Sequence, residues 1–158
     1  MEYSFKHFKT LSDLQKEAIV KIWNQEYSDQ LAYDSIASFD QWMAKIDDLN
    51  HLVVLDIQKN IIAWAADFMR DKERWFSILI ERNSQGKGLG REILNHLKFR
   101  NTSLNGWAVD HSKDVKSDGS LYPSPIGFYE KNDFKVLSDI RFEKPHMSAV
   151  KIRWSQLN

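Results

Sequence analysis

Ile78-Leu79-Ile80-Glu81-Arg82-Asn83-Ser84-Gln85-Gly86-Lys87-Gly88-Leu89-Gly90-Arg91-Glu92-Ile93-Leu94 is the stretch that decides the fold. Its left end continues Trp75-Phe76-Ser77 into an aliphatic run with strand character. Its right end sets Leu89, Ile93 and Leu94, with Leu97 beyond, at helical spacing, which predicts a helix over about 88–100. Between them Gly86, Gly88 and Gly90 alternate with other residues at a strand-to-helix junction. Glycine lets the chain turn tightly and lets a ligand approach the backbone amides. The first turn of the helix offers unpaired N–H groups and the positive end of the dipole, a setting that binds phosphate. Lys87 adds a cation. Two other phosphate loops do not fit. A dinucleotide fingerprint needs glycine where Arg91 stands, and a P-loop needs Gly-Lys-Ser/Thr after a four-residue spacer.

Working outward, 51–58 (His51 to Gln58) and 61–69 (Ile61 to Met69) read as a hairpin turning at Lys59-Asn60, with Trp75–Ile80 as the third antiparallel strand. Ahead of it lie two helices. The first is capped by Ser12, carries Leu14, Ala18, Ile22 and Trp23, and runs to about Tyr27. The second starts near Ser38 and carries Phe39, Trp42, Met43 and Ile46 on one face. After the glycine loop and its helix, Leu104–Asp110 reads as a strand, and a strand–helix–strand unit favours a parallel crossover. A polar stretch, 111–123, leads to a helix with Ser124 as N-cap and Pro125 as first residue, ending near Lys131-Asn132-Asp133. Strands over 134–142 and 148–154 close the chain. The last is read either as a dimer edge or as an internal strand. The expected fold class is α/β (α+β): a mixed central sheet flanked by helices, in the order αα-βββ-α-β-α-ββ, forming one domain over 1–158.

Composition narrows the function classes. Lys plus Arg and Asp plus Glu are both 22, so there is no electrostatic case for nucleic acid or for an anionic membrane. The absence of cysteine excludes disulfides, thiolate metal sites and cysteine nucleophiles. No His-x-x-x-His spacing occurs, so metal catalysis is not expected. Apolar runs fall far short of a membrane span, and the N-terminus lacks a signal-peptide pattern, so a cytoplasmic location is expected.

Two segments together resemble the GNAT superfamily of acyl-CoA-dependent N-acyltransferases. The family's pyrophosphate loop, Arg/Gln-x-x-Gly-x-Gly/Ala, is matched by Gln85, Gly88 and Gly90, with Gly86 and Leu89 also typical. Its aromatic-Tyr-Glu-Lys-x-Gly-Phe run is matched by Phe128-Tyr129-Glu130-Lys131-Asn132-Asp133-Phe134. Asp133 replaces the usual glycine, and Asp tolerates left-handed backbone better than most residues. The Asn that usually faces the cofactor before this helix has no counterpart in Tyr122-Pro123-Ser124-Pro125, and the 110–124 segment is longer than the common form.

The resemblance implies acetyl-CoA as cosubstrate, held at Gln85, Gly86, Lys87, Gly88, Leu89 and Gly90. It also implies that the amides of Ile78, Leu79 and Ile80 pair with the pantetheine arm and supply an oxyanion donor. By the same resemblance Tyr129 protonates the departing thiolate. The acceptor is expected to be a small-molecule or peptide amine. A lysine-like amine is protonated at neutral pH, so its proton must leave before attack. Asp110 and His111, at the end of a strand expected to line the site, are the candidates for that step, with Glu73 and Glu81 as alternatives. Asp67 is a candidate for binding the acceptor ammonium. Tyr27 and Tyr33 are candidates for the acceptor pocket, whereas Trp23 and Trp42 follow the apolar stripes and are read as packing. A non-catalytic acyl-CoA-binding module on the same fold is the alternative function. The sequence leaves the acceptor, acyl groups other than acetyl, and a homodimer open.

Overall fold

The computed structural model describes residues 2–26, 35–112, 115–116, 118–121, 123–145 and 147–156. Its elements are β1 (Ser4–Phe8), α1 (Asp13–Glu26), α2 (Ile36–Ala44), β2 (Asp47–Leu55), β3 (Ile61–Arg70), β4 (Glu73–Ile80), α3 (Leu89–Arg100), β5 (Ser103–Ala108), α4 (Ile126–Lys131), β6 (Lys135–Lys144) and β7 (Met147–Ser155), with a 3-10 turn over Arg82–Ser84. The seven strands form one sheet in the order β1-β2-β3-β4-β5-β7-β6. All neighbours are antiparallel except β4 and β5, which are parallel and joined through α3.

The helices begin where side chains satisfy the first amides. Ser12 Oγ accepts from Gln15 N (3.2 Å) while Ser12 N donates to Gln15 Oε1 (2.8 Å), a reciprocal capping box. Ser35 caps α2 by accepting from Ser38 N, three residues ahead of the expected start. Between β2 and β3 the turn is wider than Lys59-Asn60. Asp56 Oδ1 accepts from Gln58 N and Asn60 N, and Lys59 adopts a φ of 67°. The first strand of the hairpin therefore stops at Leu55, not Gln58, and Ile57 is exposed in the turn.

The core has two halves, one on each face of the sheet. Along β3, Ala63 and Ala65 face α3, packing with Ile93, Leu94 and Leu97. Trp64 and Ala66 face α1 and α2, packing with Ile19, Ile22 and Phe39. A strand buried on both faces reads as the unbroken apolar run seen in the sequence. Trp64 is fully buried, edge-on to Phe39 at 5.7 Å, and its Nε1 donates to His51 Nδ1 at 3.1 Å. Truncating a tryptophan so placed costs about 3–5 kcal/mol.

Two expectations are corrected, and for the last strand one of the two readings is met. β1 was not anticipated, because Ser-Phe-Lys-His-Phe is short and mostly polar. It is an edge strand, where charge on the solvent side is normal. Leu14, placed on the apolar stripe of the first helix, is 78% exposed. β7 lies between β5 and β6, so both its edges are paired within the chain, and a dimer formed by strand pairing would have to use β1 or β6.

Candidate active site

The site is centred on the one place where the sheet is parallel. β4 and β5 register at Trp75↔Asn105, and Asn105 Nδ2 donates to Arg74 O at 3.0 Å. β4 stays in register with β3 as far as Ile80. Two cavities meet along this second half of β4. One, of about 430 Å³, is lined by Ile78, Leu79 and Ile80, by Gln85, Gly86, Gly88 and Gly90, and by Arg91, Glu26, Lys116 and the residues just before and on α4. The other, of about 230 Å³, is lined by Ser77 and Ile78, by Tyr129, by Arg70, and by an aromatic wall that includes Trp23, Trp42, Trp75 and Trp107. Ile78 belongs to both.

The glycine loop is shaped as a cradle. Gly86 and Gly88 have φ of 73° and 85°, the left-handed region that other residues enter at a cost, and a Cβ on either would meet no atom within 4 Å. The space beside them is open to the cavity. Gly88 caps α3, whose first turn therefore points free amides at that space. Gly90 serves packing instead, since a Cβ there would lie 2.9 Å from the Phe128 ring. Gln85 fixes the loop to the end of β4 by donating from Nε2 to Ile80 O (2.8 Å) and to Glu26 Oε1 (2.9 Å). Pantetheine and pyrophosphate fit this combination of strand edge, open cradle and helix N-terminus. Lys87 does not line the cavity, and Leu89 is buried in the core, which leaves only its backbone for a ligand.

Tyr129 is positioned by the end of α4. Phe134 N donates to Tyr129 O (3.1 Å) and Asp133 N to Glu130 O (3.2 Å), the paired bonds of a Schellman ending. Asp133 supplies the left-handed residue, with φ 70°, as its place in the motif implies. The apolar contact of such an ending is present as the Tyr129–Phe134 ring pair at 5.4 Å. Phe76 adds a second edge contact to Tyr129 at 5.8 Å. The phenol-bearing ring is thus held by its backbone and by two rings at the wall of the smaller cavity.

The other sequence-predicted residues are placed differently. Asp110 is bound by Arg141 through two contacts, Nη1 to Oδ2 at 2.9 Å and Nη2 to Oδ1 at 3.1 Å, and this holds its carboxyl below the usual range. Neither Asp110 nor His111 lines either cavity. Asp67 is 4% exposed and bound by Arg74, whose Nε donates to Oδ1 at 2.8 Å, and by Asn50. It too lies outside the smaller cavity. Glu73 accepts from Lys151 and Arg153, both at 2.7 Å, and the Lys151 contact chiefly lowers its pKa. Glu81 accepts from Ser84 Oγ. Tyr27 and Tyr33 lie outside the described residues. Trp23 and Trp42, read as packing, do pack against the Trp64 cluster, and they also line the smaller cavity.

Residues that the sequence reading missed include Glu26, Lys116 and Arg70. Glu26 is the last residue of α1, where an acid opposes the helix dipole, and that misplacement was the available signal. It is 6% exposed and held by Gln85, by Lys116 Nζ at 3.0 Å and by Arg82 Nε at 3.8 Å. Lys116 comes from the long segment after β5, whose bridge Val115↔Leu121 folds it toward the larger cavity. Nothing in its local sequence marks it.

The family model of the acetyltransferase (GNAT) domain matches residues 48–136. No curated protein matches the chain in sequence. Among solved structures, it is similar to a GNAT superfamily phosphinothricin acetyltransferase from Sinorhizobium meliloti in complex with AcCoA, with TM-score 0.69 and 14% identity over 98% of this chain and 89% of that one. It is also similar to a spermidine N-acetyltransferase from Vibrio cholerae in complex with CoA and spermine, with TM-score 0.65 and 16% identity over 99% and 98% of the two chains. At such identity the likeness speaks for the fold.

Proposed function

Because the chain belongs to the GNAT acetyltransferase family, we propose that it transfers an acetyl group from acetyl-CoA to the primary amine of a small-molecule or peptide acceptor, by direct attack with both substrates bound. The observation that carries this reading is the meeting of the two cavities at Ile78. One has the cradle and strand edge that suit pantetheine and pyrophosphate, and the other has room for a small acceptor. A thioester beside Ile78 would be within reach of both.

Bound there, acetyl-CoA supplies an activated carbonyl and a thiolate leaving group. The chain's own residues do the rest. The Gly86–Gly90 amides and the α3 N-terminus hold the phosphates. The β4 backbone at Ile78–Ile80 aligns the pantetheine arm as an added strand would. The Tyr129 hydroxyl donates a proton to the departing thiolate. No carboxylate or imidazole among the described residues lines the acceptor cavity. Asp110 and Glu73 are stabilised as anions by their cations and are therefore weak bases. The amine proton accordingly leaves through water in the cavity. The reaction as proposed needs no metal and takes place in the cytoplasm, apart from nucleic acid and membrane. Among the described residues no helix is long and apolar enough to cross a membrane. A free-thiol release assay with acetyl-CoA across amine classes tests the reading. Binding of CoA with no thiol release above hydrolysis for any amine would favour the non-catalytic alternative.

A further inference from the structure

The acceptor cavity contains an unusual charge. Arg70 ends β3, and its guanidinium lies over the Trp75 ring, 4.3 Å from the centroid, and 5.5 Å from that of Phe68. Burial lowers its pKa, with Asp71 opposing at a distance, yet a guanidinium stays charged in a protein. The cations of β4 and β7 have carboxylates: Lys151 and Arg153 hold Glu73, and Arg74 holds Asp67 and Asp48. Among the described residues Arg70 has none within ion-pair distance, and it is the one charged residue among the described ones that line the cavity. The remaining wall is mostly aromatic, including four tryptophans. A half-buried cation without an anion is unfavourable unless a ligand supplies one.

Taking the amine-acetylation reading as its basis, we infer that the acceptor is zwitterionic: an amine joined through a flat or branched apolar body to a carboxylate or similar anion. The anion pairs with Arg70, the body lies against the tryptophan rings, and the amine points to Ile78 and Tyr129. The dimensions suit this. Trp75 and Ile78 are three residues apart on β4, about 10 Å along the strand, and the cavity of about 230 Å³ is below the size that holds a drug-like ligand. A single amino-acid-sized molecule fills it. The same cation makes a polyamine a poor occupant, since several ammonium groups would enter beside it unpaired. It also helps the chemistry, because a positive neighbour lowers the pKa of an ammonium and raises the share of free amine. That effect suits a cavity whose described lining carries no base.

The test uses the full chain with phenylalanine, its carboxamide, phenethylamine and spermidine as probes. Binding is read from tryptophan fluorescence in the presence of CoA, and turnover from thiol release with acetyl-CoA. Wild type should favour phenylalanine by about tenfold or more over the three probes without the anion, the effect of one charged hydrogen bond. Arg70→Gln should remove that preference by losing phenylalanine alone, and Arg70→Lys should restore part of it. Equal or better handling of phenethylamine or spermidine by wild type would overturn the inference. So would an Arg70→Gln variant that weakens all four probes equally, which would mean a packing role. A CoA-induced thermal shift, measured first on each variant, confirms folding and separates the two levels. Absence of that shift in wild type sinks the acetyltransferase reading itself, whereas its presence with no amine bound sinks only the acceptor inference.

Discussion

Gly88→Asn separates the cradle from the fold. Gly88 has φ 85° and empty space where a Cβ would stand, and Gly119 has φ 87° and the same open surroundings. Only Gly88 lines the larger cavity. Asn enters the left-handed region more readily than other residues with a side chain, so each replacement should cost about 1 kcal/mol or less in the free protein. For a chain of this size that lowers Tm by about 2–4 °C or less. CoA at ~100 times its dissociation constant stabilises the folded state by about 2.7 kcal/mol. The corresponding rise in Tm is about 5–11 °C. In Gly88→Asn the side chain occupies the phosphate position, so that rise should vanish at the same CoA concentration. In Gly119→Asn it should remain. Thermal scans of the three proteins with and without CoA provide the measurement. A full CoA shift in Gly88→Asn would refute the cradle, and loss of the shift in both variants would mean that backbone strain alone accounts for it.

Tyr129→Phe removes only the hydroxyl and should lower turnover by about two orders of magnitude with the CoA shift intact; wild-type turnover at saturation would make the ring purely structural. Lys116→Gln should weaken CoA about tenfold by calorimetry and flatten the salt dependence, since it leaves the Glu26 carboxylate facing the cavity without its nearest cation; unchanged affinity would show that Lys116 serves only Glu26. His111→Gln should leave the acid limb of the kcat/KM profile unchanged, because His111 lines neither cavity, and loss of that limb would return it to the reaction. Burial, with Lys9 beside it, holds His51 down at about 4, against 6.5 for a free imidazole. Below pH 6.5 the unfolded chain takes up a proton that the folded chain refuses until about 4, so stability should fall with acid across that window, by about 3 kcal/mol in total. Denaturation midpoints at several pH values, compared with those of His51→Gln, isolate this contribution, and parallel pH curves would refute it.

The parts of this molecule that were legible in the sequence are those encoded over short distances. Gly86 and Gly88 mark positive φ, and Asp133 sits where the motif needs a left-handed residue. Ser12 and Gln15 form a cap within one turn. The β3 run announces burial on both faces because its own alternation divides between two cores. β1 was not legible, because an edge strand has one paired side and little apolar demand. The start of α4 was displaced by one residue: Pro125 is the N-cap, and Ser124 Oγ donates to Val109 O (2.6 Å), serving the junction with β5 as much as the helix.

The two cavities differ in the same way, and this explains why one substrate was readable and the other was not. The larger includes a strand edge, a loop of glycines and a helix terminus, all within 78–90, where backbone can serve as the recognising group. Backbone recognition needs particular conformations at consecutive positions, so it leaves a contiguous signature. The smaller cavity is made of side chains from α1, α2, β3, β4, β5, α4, β6 and β7, brought together only by folding. Trp23 and Trp42 illustrate the consequence. Their helical spacing correctly indicated packing, and periodicity carries no information on whether the far side of a packed ring meets solvent, core or ligand. Asp67 and Asp110 illustrate the complementary limit, because sequence position does not tell whether a cation of the chain claims a carboxylate. Arg74 and Arg141, from β4 and β6, do claim them. Arg70 is the converse case: that no carboxylate among the described residues pairs with it is a property of the assembled sheet, and the acceptor preference proposed from it is one that no segment of the sequence contains by itself.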